Sequence, residues 1–117
     1  MALTDWSEDI LIADLSDEPA FSDDMDALCR RLDQPPKKNG NPAPDVILNM
    51  NSVSYLNSSN LAQLLKVRKK LSLAGRKLRV CAVNDAVWSI LMTTGLDQVF
   101  SFNDDVSMSL ASIQMEA

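Results

Sequence analysis

Histidine is absent from this 117-residue chain. That removes the imidazole on which most acid–base mechanisms and most zinc sites depend. Glycine occurs three times, at Gly40, Gly75 and Gly95, too sparsely to build a glycine-rich phosphate-binding loop. The two cysteines, Cys29 and Cys81, each fall inside an apolar pattern. They read as buried reduced thiols, since a disulfide or metal pair would need further ligands or an oxidising compartment. Aromatic residues make up only 5% of the chain, which argues against a dedicated nucleic-acid binder. No apolar run approaches the ~20 residues of a membrane span. Residues 1–16 carry acids where a secretion signal would carry a basic stretch and an apolar block. The expected location is cytoplasmic, without membrane insertion.

What is present is ordinary in amount and uneven in placement. The chain is 46% hydrophobic and 23% charged, a globular composition, and its length suits one domain spanning residues 1–117. The net charge is −5, yet residues 1–34 hold ten acids and two bases, while residues 66–79 hold seven bases and no acid. The basic segment reads as a solvated helix face and the turn after it. Its functional alternative is a protein partner with an acidic surface.

Strand and helix patterns alternate along the chain. Ile10–Leu15 reads as a strand, and Ser22 as the N-cap of a helix with Met25, Leu28, Cys29 and Leu32 facing a core. The acids Asp23, Asp24 and Asp26 suit the positive first turn of that helix better than a metal site, because no oxygen-ligand loop follows. Pro35–Pro44 is a loop. Asp45–Met50 is a strand. A helix follows on Leu61, Leu64, Leu65, Arg68 and Leu71, stopped at Gly75. Leu78–Val83 is a third strand. Asn84 or Asp85 caps a helix containing Val87, Trp88, Ile90, Leu91 and Met92, which ends at Gly95; Trp88 belongs to packing. Val99–Phe102 is a short strand, and Asn103–Asp105 open a last helix through Met108, Leu110, Ala111 and Met115. Such alternation predicts an α/β fold with a small, mainly parallel sheet of about four to five strands and about four helices. Ligands and partners of such sheets meet the loops at the carboxyl ends of the strands.

The turn Asn57-Ser-Ser-Asn60 lies at such an end, at the start of a helix. Unsatisfied N–H groups and the positive helix dipole favour an anion there. Ser58 and Ser59 are therefore either simple caps or exposed hydroxyls open to phosphorylation. Gln63 and Val67 follow Asn60 along a helix face expected to point away from the leucines, where an exposed Val67 would belong to a partner interface.

From about residue 45 to 111 the chain resembles the STAS domain, named for sulfate transporters and anti-sigma factor antagonists. The resemblance rests on ordered motifs. Asn49-Met-Asn-Ser-Val-Ser-Tyr-Leu leads into Asn57-Ser-Ser-Asn-Leu-Ala. A basic helix closes on Ala74-Gly-Arg-Lys-Leu before the strand Arg79-Val-Cys-Ala-Val. The helix Ala86-Val-Trp-Ser-Ile-Leu-Met-Thr-Thr-Gly-Leu then runs on to Phe100. The resemblance implies a small mixed sheet with helices on one side, and a protein-interaction module rather than an enzyme. It implies no cofactor. In the antagonists, the first serine of an Asp-Ser-Ser-Gly turn is phosphorylated by a kinase that is itself the anti-sigma factor, and a phosphatase reverses the reaction. By position that serine is Ser58, with Asn57, Ser58, Ser59, Asn60, Gln63 and Val67 as the expected partner-binding residues. Asn57 stands where the family carries aspartate, and Asn60 where it carries glycine. A constitutive adaptor subunit of a lipid-transport ABC complex, using the same face without a phosphoswitch, is the alternative the family offers.

Overall fold

The computed structural model describes residues 2–34 and 43–115; most of the loop read at Pro35–Pro44 lies outside them. Among the described residues five strands pair in sequence order, β1 (Leu3–Asp5), β2 (Ile10–Ser16), β3 (Asp45–Ser52), β4 (Leu78–Cys81) and β5 (Phe102–Asn103). β1 runs antiparallel to β2 and the remaining pairs are parallel. Among the same residues four α-helices accompany them: α1 (Ala20–Leu32), α2 (Ser58–Leu73), α3 (Asp85–Thr94) and α4 (Val106–Met115).

Residue alternation along the strands divides the interior into two layers. Leu11, Ala13 and Leu15 of β2, Val46, Leu48 and Met50 of β3 and Val80 of β4 point to one face. There they meet Phe21, Met25 and Leu28 of α1, Leu64, Val67 and Leu71 of α2, and Val87 and Leu91 of α3. Ile10, Ile12, Ile47 and Cys81 point the other way and meet Val106, Leu110 and Ile113 of α4. Each fully buried side chain of this size contributes about 1.5–3 kcal/mol of apolar burial. Parallel strands in sequence order, joined by crossovers of one hand, put every crossover helix on the same face. That accounts for α1, α2 and α3. α4 follows the last strand and is free of the constraint, so it covers the opposite face, and the expectation of helices on one side is corrected.

Other boundaries move for local reasons. The N-terminal hairpin partner β1 was not legible in the sequence. α1 begins at Ala20 with Pro19 at its N-cap, and Ser22 lies inside the first turn, so the reading of Ser22 as cap is replaced. β4 stops at Cys81 because Ala82 takes φ 59°, a left-handed conformation uncommon outside glycine. Its N–H donates to the O of Asp104, the residue after β5, at 3.1 Å. Leu96–Gln98 form a 3-10 turn with Val99 still helical, which leaves Phe102–Asn103 as the strand. Gly75 (φ 70°) and Gly95 (φ 77°) supply the left-handed ends of α2 and α3 as expected.

Candidate functional site

Three loops converge at the carboxyl ends of β2, β3 and β4. The middle one, from β3 to α2, is anchored from below by Val53 and Leu56, both buried. From one side Asp17 accepts the Ser54 N–H at 2.8 Å and its hydroxyl at 2.6 Å. From the other, Asn84 Nδ2 donates to Val53 O at 2.8 Å, while Asn84 Oδ1 accepts the Val87 N–H and caps α3. The loop is thus held in one shape before any partner arrives. Tyr55 is left 64% exposed at its crest.

α2 then begins with a reciprocal cap. Asn57 Oδ1 accepts the Asn60 N–H at 2.8 Å, and Asn60 Oδ1 accepts the Asn57 N–H at 3.0 Å. This is a capping box with asparagine in both roles. A glycine in place of Asn60 would have no side chain for the second arm, so the two departures from the family turn work as a pair. Asn60 is only 2% exposed, and its carboxamide continues a polar chain. Asn60 Nδ2 donates to Gln63 Oε1 at 3.3 Å, Gln63 Nε2 to Ser22 Oγ at 3.2 Å, and Ser22 Oγ to Glu18 Oε2 at 2.6 Å. The start of α2 is thereby tied to the start of α1.

Because Asn57 is the N-cap, Ser58 and Ser59 are the first two helical residues and cap nothing. Both are exposed. Among the described residues neither hydroxyl makes a hydrogen bond, and the first backbone bond of the helix is Leu61 N–H to Asn57 O at 3.0 Å. Two free hydroxyls therefore stand at the positive end of a helix of sixteen residues. Hydrogen bonds from Ser54, first its hydroxyl and then its N–H, hold the Asp17 carboxyl below the usual aspartate range. Those from Ser22 do the same for Glu18, with a smaller contribution from Asn60. Both acids are engaged acceptors with lowered pKa, so neither is poised as a general base for a serine nucleophile.

The sequence-predicted site residues divide in two. Asn57, Ser58, Ser59, Asn60 and Gln63 are brought together at one end of α2. Val67 is not among them: it is 0% exposed, in a stripe with Asn60, Leu64 and Leu71. Its placement at an exposed partner interface is corrected. The helix is rotated from the expected phase because the stripe begins with a polar residue, and Leu65, assigned to the core, is 40% exposed. The solvent face of α2 instead carries Ser58, Ser59, Ala62, Leu65, Lys66 and Lys69. Other bases of the segment are engaged by neighbouring elements. Lys70 pairs with Asp33 at 2.6 Å, Arg76 with Asp45 at 3.2 Å, and Arg68 Nε donates to Val99 O. Sequence reasoning passed over Asp17, for which an acid directly after a strand was the available signal, and read Asn84 only as a candidate helix cap, not as a clamp on the Val53 carbonyl.

The chain is an α/β domain with a mainly parallel sheet and a pinned, solvent-facing serine turn at the strand carboxyl ends. A model of the STAS domain family matches residues 8–112, and the chain belongs to that family. The fold is shared with an anti-sigma-factor antagonist (STAS) domain protein from Planctomyces limnophilus (TM-score 0.74, 12% identity, 90% of this chain and 91% of that one). It is shared also with a sulfate transporter family protein from Wolinella succinogenes (0.73, 19%, 91% and 85%). A serine-to-glutamate variant of Moorella thermoacetica RsbS is a third similar structure (0.71, 12%, 97% and 96%).

Proposed function

We propose that this STAS domain is an anti-sigma factor antagonist, acting on transcription through reversible contact with an anti-sigma factor that is also a serine kinase. Ser58 is the switched residue, and a phosphatase restores the unmodified form. The observation that carries this reading is the division of labour at α2: Asn57 and Asn60 do the capping, so the Ser58 hydroxyl is exposed and structurally unemployed. A phosphate on Ser58 would add about −1.5 to −2 charges at the positive end of a helix, which the free domain tolerates. A partner surface closed around a neutral hydroxyl would lose about 2–5 kcal/mol on meeting that dianion. Switching then requires no change of fold. Tyr55, Ala62, Leu65 and Lys66 supply the remaining contact surface around the serines.

The test is a pull-down from cytoplasmic extract with wild-type, Ser58→Ala and Ser58→Asp baits, read by mass spectrometry together with phosphosite mapping. Wild type and Ser58→Ala should retain a kinase-type anti-sigma factor that Ser58→Asp loses, and phosphate should map to Ser58. Equal recovery of one partner by all three baits would sink the switch. A transporter ATPase as that common partner would establish the constitutive adaptor instead.

A further inference from the structure

No lysine or arginine occurs after Arg79, while Asp85, Asp97, Asp104, Asp105 and Glu116 do. Within this base-free part a cleft of about 250 Å³ opens at the carboxyl ends of β4 and β5, lined by Val83, Trp88, Phe102, Asn103 and Asp104. Its walls are held by contacts of their own. The Trp88 and Phe102 rings stand at 86° with centroids 5.0 Å apart. Ser109 Oγ donates to Asn103 Oδ1 at 3.1 Å. The Ala82 N–H donates to Asp104 O at 3.1 Å, which fixes the backbone of Asp104. Asp105 is engaged as a cap of α4, its Oδ1 accepting the Met108 N–H at 2.8 Å. The Asp104 carboxylate differs: it is exposed, and among the described residues it has no hydrogen bond or ion pair.

We infer that this cleft receives the guanidinium of an arginine side chain from the protein that docks on the serine turn; the inference rests on the partner reading above for where that arginine comes from. Size sets the first limit. About 250 Å³ is below the roughly 300–1,000 Å³ of pockets that hold whole ligands, and suits one side chain. Charge sets the second. An anion entering here meets a free carboxylate, and an uncharged apolar group would bury that carboxylate unpaired. The rings then choose among cations. A group between two perpendicular rings meets the face of at least one, and a ring face attracts a cation within about 6 Å of its centroid. Guanidinium is planar, stacks on aromatic faces, is more weakly hydrated than an ammonium and forms two parallel hydrogen bonds to a carboxylate. Arginine therefore suits the aromatic wall and the carboxylate together.

Position ties the cleft to the serine turn. Val83 is followed by Asn84, whose Nδ2 donates to Val53 O at 2.8 Å and so pins the loop leading to Ser58. Trp88 is on α3, which packs on the same face of the sheet as α2. Both features sit at the carboxyl ends of the neighbouring strands β3, β4 and β5, spaced about 5 Å apart, so one partner surface spans them.

An NMR titration of the full chain with Nα-acetyl-arginine methylamide at low ionic strength tests the cleft without any partner, because the blocked ends leave the side chain as the only charge. The Trp88 indole N–H and the Asp104 amide should shift and saturate, with a midpoint in the millimolar range. The Trp6 indole, in the β1–β2 turn at the other end of the sheet, should not move. The citrulline analogue, of similar shape but uncharged, should move none of them. Asp104→Asn should weaken the titration about tenfold, whereas Asp97→Asn, the same charge change in the turn after α3, should not. No saturation at Trp88, an equal response to citrulline, or equal weakening by Asp97→Asn overturns the inference. The anti-sigma factor retained in the pull-down above should bind Asp104→Asn about tenfold more weakly than wild type, and unchanged affinity overturns the partner as the source of the arginine. If that pull-down retains no such factor, the switch reading fails while the titration still decides the cleft.

Discussion

The capping arrangement at α2 makes opposite predictions for neighbouring residues. Asn57→Ala removes the acceptor of the Asn60 N–H, a 2.8 Å bond, and loss of an N-cap of this kind costs about 1 kcal/mol, within 0.5–2. Asn60→Ala should cost more, about 2 kcal/mol, because it strands the Asn57 N–H and Gln63 Oε1 around a side chain only 2% exposed. Ser58→Asp removes no hydrogen bond and puts a carboxylate on the first turn, which stabilises by about 0.3–1 kcal/mol at low salt. For a domain of this length 1 kcal/mol corresponds to about 4 °C in Tm. Thermal unfolding at pH 7 and low ionic strength should therefore place Asn57→Ala about 4 °C below wild type and Asn60→Ala about 8 °C below. Ser58→Asp should lie level or up to about 4 °C above, and its gain should vanish near 1 M salt, where the screening length is about 3 Å. Urea titrations with unchanged slope would show that stability alone has moved. The reasoning fails if Ser58→Asp melts several degrees low, since the hydroxyl would then be structural. It fails equally if Asn57→Ala melts with wild type.

Three further perturbations probe other parts of the molecule. Val67→Ala should destabilise by about 1.5–3 kcal/mol, from two lost methyl groups and the cavity they leave, while Leu65→Ala, 40% exposed, should cost under about 1 kcal/mol. Urea unfolding that ranked the two in reverse would contradict the phase assigned to α2. Asp17 and Glu18 are held below their ordinary values of 3.8 and 4.5, so their contribution to stability is complete above those values and is lost as pH falls through the lowered ones. Acid unfolding should accordingly be shallower in Asp17→Asn, which should already be less stable at pH 7; an unchanged acid limb would mean the Ser54 clamp contributes nothing. Burial raises the pKa of the Cys81 thiol, which is 0% exposed. An aromatic disulfide reagent should label it only at the rate of unfolding, and rapid labelling of the native protein would show that the α4 layer opens easily.

Much of this molecule could be read along the chain, because the signals involved are local. Apolar runs marked β2, β3 and β4, Gly75 and Gly95 marked two helix ends, and Asn84 marked a cap; each depends on the preferences of a few adjacent residues. The place of Ser58 at the start of α2 was legible for the same reason, since a strand pattern gives way there to a helix pattern. β1 escaped notice because three residues paired at an edge carry no periodicity of their own. The phase of α2 was misread because Asn60 occupies the buried stripe, and a polar residue is admitted there only when partners from elsewhere satisfy it. Those partners include Gln63 and, beyond it, Ser22 on another helix.

The sequence by itself determined the alternation of strands and helices, their approximate ends, the family motifs and the position of the serine pair, since backbone propensity and side-chain period act over one or two turns. Only the tertiary structure decided which side of each element is covered. It buried Val67, exposed Leu65, and sent α4 to the opposite face of the sheet. It also brought Asp17 and Asn84 from two other loops to pin the turn before Ser58. Those outcomes depend on contacts between residues far apart in the chain, where packing and hydrogen-bond satisfaction outweigh what any one segment prefers.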